Sequence, residues 1–366
     1  MMTSKATKSA PPHADIVRTT LTIDQLLVAP GAPVCAARCG DALYMVRAKA
    51  LAASSEPGAE RVLDFADQDA CRLVATGVEE RVTLNRAAGV LTYVKDNQAL
   101  ALSLTDGGPA RRLPLPCSDE SVASAVLSDD LKNALVVLRD DSQFDFCRFT
   151  PALVDLESRE ARRFDEAASV LELRAYWSPA ADTFLVFDPD RERVFRVKRG
   201  ARAAEPADTP AAPGRIFTAL VTHPTQPWVS LLVSDSNTNR PYLMQGAINS
   251  HVQWEGSTRF EEGIPACVSW HPTDRTIVCA RSIRKQTIVE TVTPVGMVTA
   301  RVELPRGWEC IDLKWSASGE YVLVVGQVGV MVWHAAAAAA DLKAARRAAK
   351  LQKREAQEAP TANSEG

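Results

Sequence analysis

Residues 266–280 read ACVSWHPTDRTIVCA: an apolar alternating run, a short polar turn, then a second apolar run. Alternation of this kind marks a β-strand, and Pro, Thr, Asp and Arg between two such runs make a turn. The figure recurs. LRAYWSPAADTFLVF occupies 173–187, TALVTHPTQPWVSLLV occupies 218–233, and IDLKWSASGEYVLVV occupies 311–325. More degenerate copies lie upstream, as ASAVLSDDLKNALVVL at 123–138, RVTLNRAAGVLTYV at 81–94 and VCAARCGDALYMV at 34–46. With the turns anchored at Gly40, Arg86, Asp129, Pro179, Pro224, Pro272 and Ala317, the intervals are 46, 43, 50, 45, 48 and 45 residues. Seven copies near this period indicate a radial array of small sheets rather than two or three unrelated domains.

Within the sixth unit four strands can be counted: ACVSW (266–270), RTIVCAR (275–281), KQTIVETV (285–292) and MVTARVEL (297–304). The seventh unit offers three, CIDLKW (310–315), YVLVVG (321–326) and GVMVW (329–333), before the chain runs into an alanine tract. IVRTTLTI (16–23) alternates and has no partner of its own. It is expected to complete the last sheet, which would close the ring and remove two open strand edges. The expected organisation is all-β: a disordered tail over 1–14, a seven-bladed propeller over 15–334, a helix over 335–359 and a disordered tail over 360–366. The loop GARAAEPADTPAAPG (200–214) carries three prolines and is expected to replace much of the fourth unit's outer strand.

Period, strand count and the Trp-Ser-Pro or Trp-His-Pro turn after the first strand resemble the WD40-repeat family of seven-bladed β-propellers over about residues 16–334. The Gly-His dipeptide of that family is absent, and its Trp-Asp dipeptide survives only as Trp333-His334. The buried network those residues form in regular members therefore does not carry over. The resemblance implies a non-catalytic scaffold, a WD-repeat subunit of a multiprotein or ribonucleoprotein assembly in cytoplasm or nucleus. In the family, the connection into each first strand and the loop between strands two and three line the wider binding face. The matching positions are Arg306 and Trp308, Arg281, Arg284 and Lys285, Asn239 and Arg240, and Arg191. An Arg/Trp cluster has the composition of a binding hot spot, set against the alternative that Trp308 covers a blade edge.

Composition excludes several classes. Of 366 residues, 42 are basic and 45 acidic, a net charge of −3, so the chain is not globally basic. No run of 18 apolar residues exists, so no membrane span is expected. Eight cysteines, at 35, 39, 71, 117, 147, 267, 279 and 310, are scattered through apolar runs and read as reduced buried hydrophobes. The acid-free stretch 1–14 leaves mitochondrial import open.

Standard nucleotide, zinc-protease and serine-hydrolase motifs are absent, so no catalytic, cofactor-binding or metal residue is assigned, and no cofactor or small-molecule substrate is expected. His223 and His271 precede prolines at one point of the repeat, which assigns them to turns; His251 alone has no such explanation. A propeller hydrolase or lactonase, with carboxylates and histidines gathered on the axis, is the least favoured reading. Trp177, Trp270 and Trp315 occupy matching positions and are expected in the core.

Residues 335–358 are helix formers, without Gly or Pro. Lys343, Arg346, Arg347, Lys350, Lys353 and Arg354 fall within about 120° of the helix circumference, one basic stripe. With Asp341 the 335–354 stretch carries +5. Two readings stand: an arm for an acidic protein or RNA phosphates, or a solvated extension whose alanine face packs on a partner helix.

Overall fold

The computed structural model describes residues 11, 13–56, 58–79, 81–115, 121–142, 147–207, 215–235, 240–249, 252–260 and 263–358. Its strands form seven sheets, the blades of a β-propeller, followed by one helix, Ala335–Glu358 (α1). Blade 6 is the regular unit. Ile264–Trp270, Ile277–Ile283, Gln286–Val292 and Val298–Glu303 pair antiparallel in chain order. The innermost strands of blades 2 to 5 are Thr83–Asn85, Ser121–Leu127, Arg174–Ser178 and Arg215–Thr222.

Seven apolar clusters hold the blades together, one in each gap between neighbours. Each blade is thus covered on both faces, which is why a middle strand such as Thr183–Asp188 is buried at every position. Trp177 lies in the gap between blades 3 and 4 and Trp270 in that between 5 and 6, while Trp315 packs partly buried against the 6–7 cluster.

The ring is closed by the N-terminal strand. Ala14–Thr19 pairs antiparallel with Gly329–Trp333, the third strand of blade 7. Its side chains alternate: Ala14 and Ile16 join the 6–7 cluster, whereas Val17 joins the 7–1 cluster. The strand stops at Thr19, short of residue 23, because the chain turns there toward blade 1.

Two expectations about the first unit are corrected. VCAARC and ALYMV are strands two and three of blade 1, Val34–Cys39 and Ala42–Arg47, not one and two. The innermost strand is the three-residue Gln25–Leu27, too short to alternate legibly, and its turn spans 28–33. The second correction concerns the closing blade, which has five strands. Between strands three and four of blade 1 the chain leaves its own sheet, and Glu60–Leu63 pairs parallel with Ala14–Thr19 before Cys71–Ala75 completes blade 1. The closing strand is therefore a central strand of its sheet. Blade 4 does retain an outer strand, reduced to Glu205–Ala207; the rest of its proline-rich loop, 208–214, lies outside the described residues. Of the tail expected over 1–14, residues 1–10 and 12 lie outside the described residues, while Ala14 already opens the closing strand; the tail expected over 360–366 lies outside them entirely.

Candidate functional site

The lower face, where each first strand turns into its second, is mortared by repeat residues. His223 of blade 5 is fully buried; its Nδ1 accepts the Thr225 and Gln226 amides at 3.1 Å each, and its Nε2 donates to the Asp274 carbonyl of blade 6 at 2.9 Å. Nδ1 as acceptor makes it the neutral Nε2–H tautomer, and burial lowers its pKa, opposed by the Asp274 carbonyl. Its ring packs on Trp270, 5.2 Å between centroids. His271 repeats this one blade on, edge-on to Trp315 at 4.8 Å. It occupies the space above Gly319, where a Cβ would lie 2.1 Å from the imidazole and φ is +74°. Trp270 Nε1 donates to the Val221 carbonyl at 3.1 Å and Trp315 Nε1 to that of Ser269 at 3.3 Å, each reaching the preceding blade. These histidines are structural pegs. His251 lies outside the described residues.

The upper face is where the expected binding residues fall. Arg284 and Lys285 form the two-residue turn between strands two and three of blade 6, both exposed and both at positive φ, 48° and 69°. Hairpin turns of this type favour Asn and Gly, and blade 2 uses Asp96 and Asn97 in the same conformation. Two long cations at such a place accept backbone strain and project into solvent. Arg306 is exposed in the connection into blade 7. Arg191 is exposed in the corresponding turn of blade 4 and donates to the Ala168 carbonyl at 3.1 Å. Arg240 opens a strand of blade 5, Arg240–Ile248, and Asn239 lies outside the described residues.

Two members of the expected cluster lie inside the molecule, which for Trp308 is the alternative of covering a blade edge. Trp308, 8% exposed, lies in the 6–7 cluster against Gly326, covering the blade edge. Arg281 is equally buried and makes a bidentate pair with Glu290, Nε at 3.0 Å and Nη2 at 3.2 Å. Five exposed large apolar side chains missed in the sequence share the upper face: Leu21, Val170, Leu171, Ile216 and Val328. Each sits in a connection into a first strand, at the start of one, or in a strand-two to strand-three turn, positions that the resemblance already marked.

The innermost strands enclose an axial cavity of about 670 Å³ to which all seven blades contribute. Arg81 of blade 2 ion-pairs with Glu172 and donates to the Leu173 carbonyl at 2.8 Å, bridging to blade 4. Arg174 binds the same carboxylate at 2.8 and 3.1 Å and reaches the Thr218 carbonyl of blade 5 at 3.0 Å. Asp24 accepts the Gly40 amide at 2.6 Å, and Asp312 pairs with Lys314 at 3.0 Å. Each lining carboxylate is thus engaged by a neighbour. Among the described residues no group of three or more His, Cys, Asp or Glu could hold a metal ion.

The seven described cysteines are free thiols. Burial pushes Cys35, Cys39 and Cys279 up to about 12 and Cys71 to about 11, which keeps them from forming reactive thiolates. Cys117 lies outside the described residues.

Helix α1 follows directly on the third strand of blade 7. Trp333 is fully buried, and His334 stacks on Tyr321 at 4.4 Å. Ala335 is buried in the 6–7 cluster, Ala338 and Ala339 pack against it, and the helix rests on the outer strand of blade 6. His13 Nε2 meets Asp341 Oδ2 at 2.9 Å. From Lys343 to Gln352 every residue is exposed, Arg346, Arg347 and Lys350 included; Lys353 and Arg354 continue the helix. No described helix is long and apolar enough to cross a membrane.

No family model matches the chain, and no curated protein shows significant sequence similarity to it. The architecture is consistent with a WD40-like propeller.

Proposed function

We propose that this chain is a non-catalytic, WD40-like interaction scaffold that engages protein partners through its upper face and through α1. The observation that carries this reading is the helix. The 24 residues of α-helix extend roughly 36 Å, yet among the described side chains only those of the first two turns pack on the propeller. From Lys343 to Gln352 the helix presents a basic surface on which every residue is exposed. A second attachment point beside a rigid ring lets two weak contacts act together. The strained Arg284–Lys285 turn, Arg306, Leu171 and Ile216 supply the first, a mixture of cations and apolar groups suited to a protein surface. Engagement of the axial carboxylates by neighbouring residues speaks against a hydrolase. The buried thiols suit a reducing compartment, cytoplasm or nucleus.

Affinity purification of the full chain, of a chain ending at Leu342 and of an R284E/K285E/R306E variant tests this. Full chain is expected to recover a stoichiometric partner, and each variant to lose most of it. Recovery of no such partner overturns the proposal. The exposed stripe Lys343, Arg346, Arg347 and Lys350 favours a second reading, contact with RNA. That reading requires affinity falling steeply with salt, with the log–log slope reduced by about 0.7 for each cation removed on a single strand.

A further inference from the structure

The axial cavity holds more positive charge than its own carboxylates balance. Its lining includes five cations, Arg38, Arg81, Arg86, Arg174 and Lys314, against Asp24, Glu172 and Asp312. Arg81 and Arg174 share the single carboxylate of Glu172. Asp312 is taken by Lys314. Arg38 spends one terminal nitrogen on the Gly40 carbonyl, at 2.8 Å, and Asp24 is engaged by the Gly40 amide.

Arg86 is the exception. It sits at the lower end of the innermost strand of blade 2, half-buried, and among the described residues it makes no hydrogen bond or ion pair. Burial works against its charge and lowers its pKa, and among the described residues the charge that supports it is Asp312, on the innermost strand of blade 7. His223 is also near, but as the neutral tautomer with both nitrogens engaged it offers no counter-charge. A half-buried cation that lines a cavity without a carboxylate partner is open to an anion entering that cavity. The planar guanidinium fork matches phosphate and carboxylate oxygens.

We propose that the axial cavity is a binding site for a small organic phosphate, with Arg86 as the principal contact to the phosphoryl group. The residual charge of +2 on the lining matches a phosphate dianion. The cavity lies within the 300–1,000 Å³ usual for small-ligand pockets, leaving space beside the phosphoryl group for an organic part. The ligand is bound and not transformed, and the site is independent of the upper face and of α1.

Thermal unfolding of the full chain in chloride buffer tests this, with inorganic phosphate, a nucleoside monophosphate or a sugar phosphate added at matched ionic strength. The wild-type melting temperature is expected to rise by about 2 °C at a tenfold excess over Kd. An organic phosphate should act at lower concentration than inorganic phosphate. R86Q should abolish the response while melting at or above wild type in chloride, because it removes an unpaired cation. R86K, which keeps charge without the fork, should respond weakly. Titration calorimetry should give one site per chain. An R86Q protein that responds like wild type, or that melts lower or fails to fold in chloride, overturns the proposal, as does a wild type indifferent to all three anions at millimolar concentration.

Discussion

Blade 6 and blade 7 look alike in cross-section and are built in opposite ways. Blade 6 is one uninterrupted stretch, Ile264–Glu303, in which each strand pairs with the next. Blade 7 is assembled from three places: 310–333, the N-terminal Ala14–Thr19, and Glu60–Leu63 from the middle of blade 1. Blade 6 can form as the chain is laid down. Blade 7 needs both termini of the ring together, so its loop-closure entropy spans the whole propeller. The comparison teaches that cooperativity of this fold is concentrated where the local sequence is least regular.

The sharpest way to break the comparison is a charge in the closing strand. Val17 is 1% exposed among Val325, Val330 and Val332. V17D is expected to cost more than about 4 kcal/mol and to abolish a single cooperative urea transition. V62D places the same charge in the same blade, on a side chain 67% exposed, and should change stability by less than about 0.5 kcal/mol. Equal behaviour of the two variants would mean that strand 14–19 does not hold the ring.

Asp15 offers the next largest effect. It is 3% exposed, and its carboxylate accepts the amides of Ser54 at 2.6 Å, Gly58 at 2.9 Å and Ala59 at 3.2 Å. The N-terminal strand thereby fixes the segment that delivers Glu60–Leu63 to its edge. D15A leaves three amides without their acceptor and should cost about 3 kcal/mol, with D15N losing about half as much. Limited proteolysis should cut D15A between 52 and 59 well before wild type; unchanged cleavage would detach Asp15 from that role.

The same contrast explains what could be read from the sequence. The period, the four strands of blade 6 and the closing role of the N-terminal run were legible because alternating or unbroken apolar runs of five or more residues mark strands covered on one face or on both. The excursion of Glu60–Leu63 was not. ERVL is four residues, three of them partly or fully solvent-facing, and its partner lies in another blade. The Arg/Trp face was legible as position and not as exposure. A tryptophan in a connection is equally consistent with contact or with cover, and burial of Arg281 depends on Glu290, nine residues away on the adjacent strand. The excess of axial charge was invisible, because its five members come from blades 1, 2, 4 and 7, and only the ring closure brings them to one cavity.

In the regular half of the ring, His223 sharpens the comparison through pH. Its folded pKa lies below the ordinary 6.5 because burial opposes the charged form, so the unfolded chain binds the proton more readily. Stability from this site is full above the unfolded pKa and declines as pH falls through about 6.5, by at most about 1.4 kcal/mol per unit, until the folded ring protonates. H223N should be less stable than wild type at pH 7.5, and the gap should narrow toward pH 5.5. A gap independent of pH would mean that the imidazole is not held neutral.

The smallest effect is expected at the far end of the chain, where it separates stability from function. Ala335, Ala338 and Ala339 belong to the 6–7 cluster and Asp341 meets His13, so removing the whole helix would uncover a blade gap. Removing 343–366 would not, since every described side chain it takes away before residue 353 is exposed. An exposed helical turn with no tertiary contact contributes almost nothing to global stability, because helix propensity alone barely offsets chain entropy. A chain ending at Leu342 should therefore unfold within about 0.5 kcal/mol of the full chain. It should also keep its axial phosphate response and lose partner recovery. A loss of stability approaching that of D15A would show the distal helix to be a strut of the ring, and its basic stripe would then need no partner to explain it.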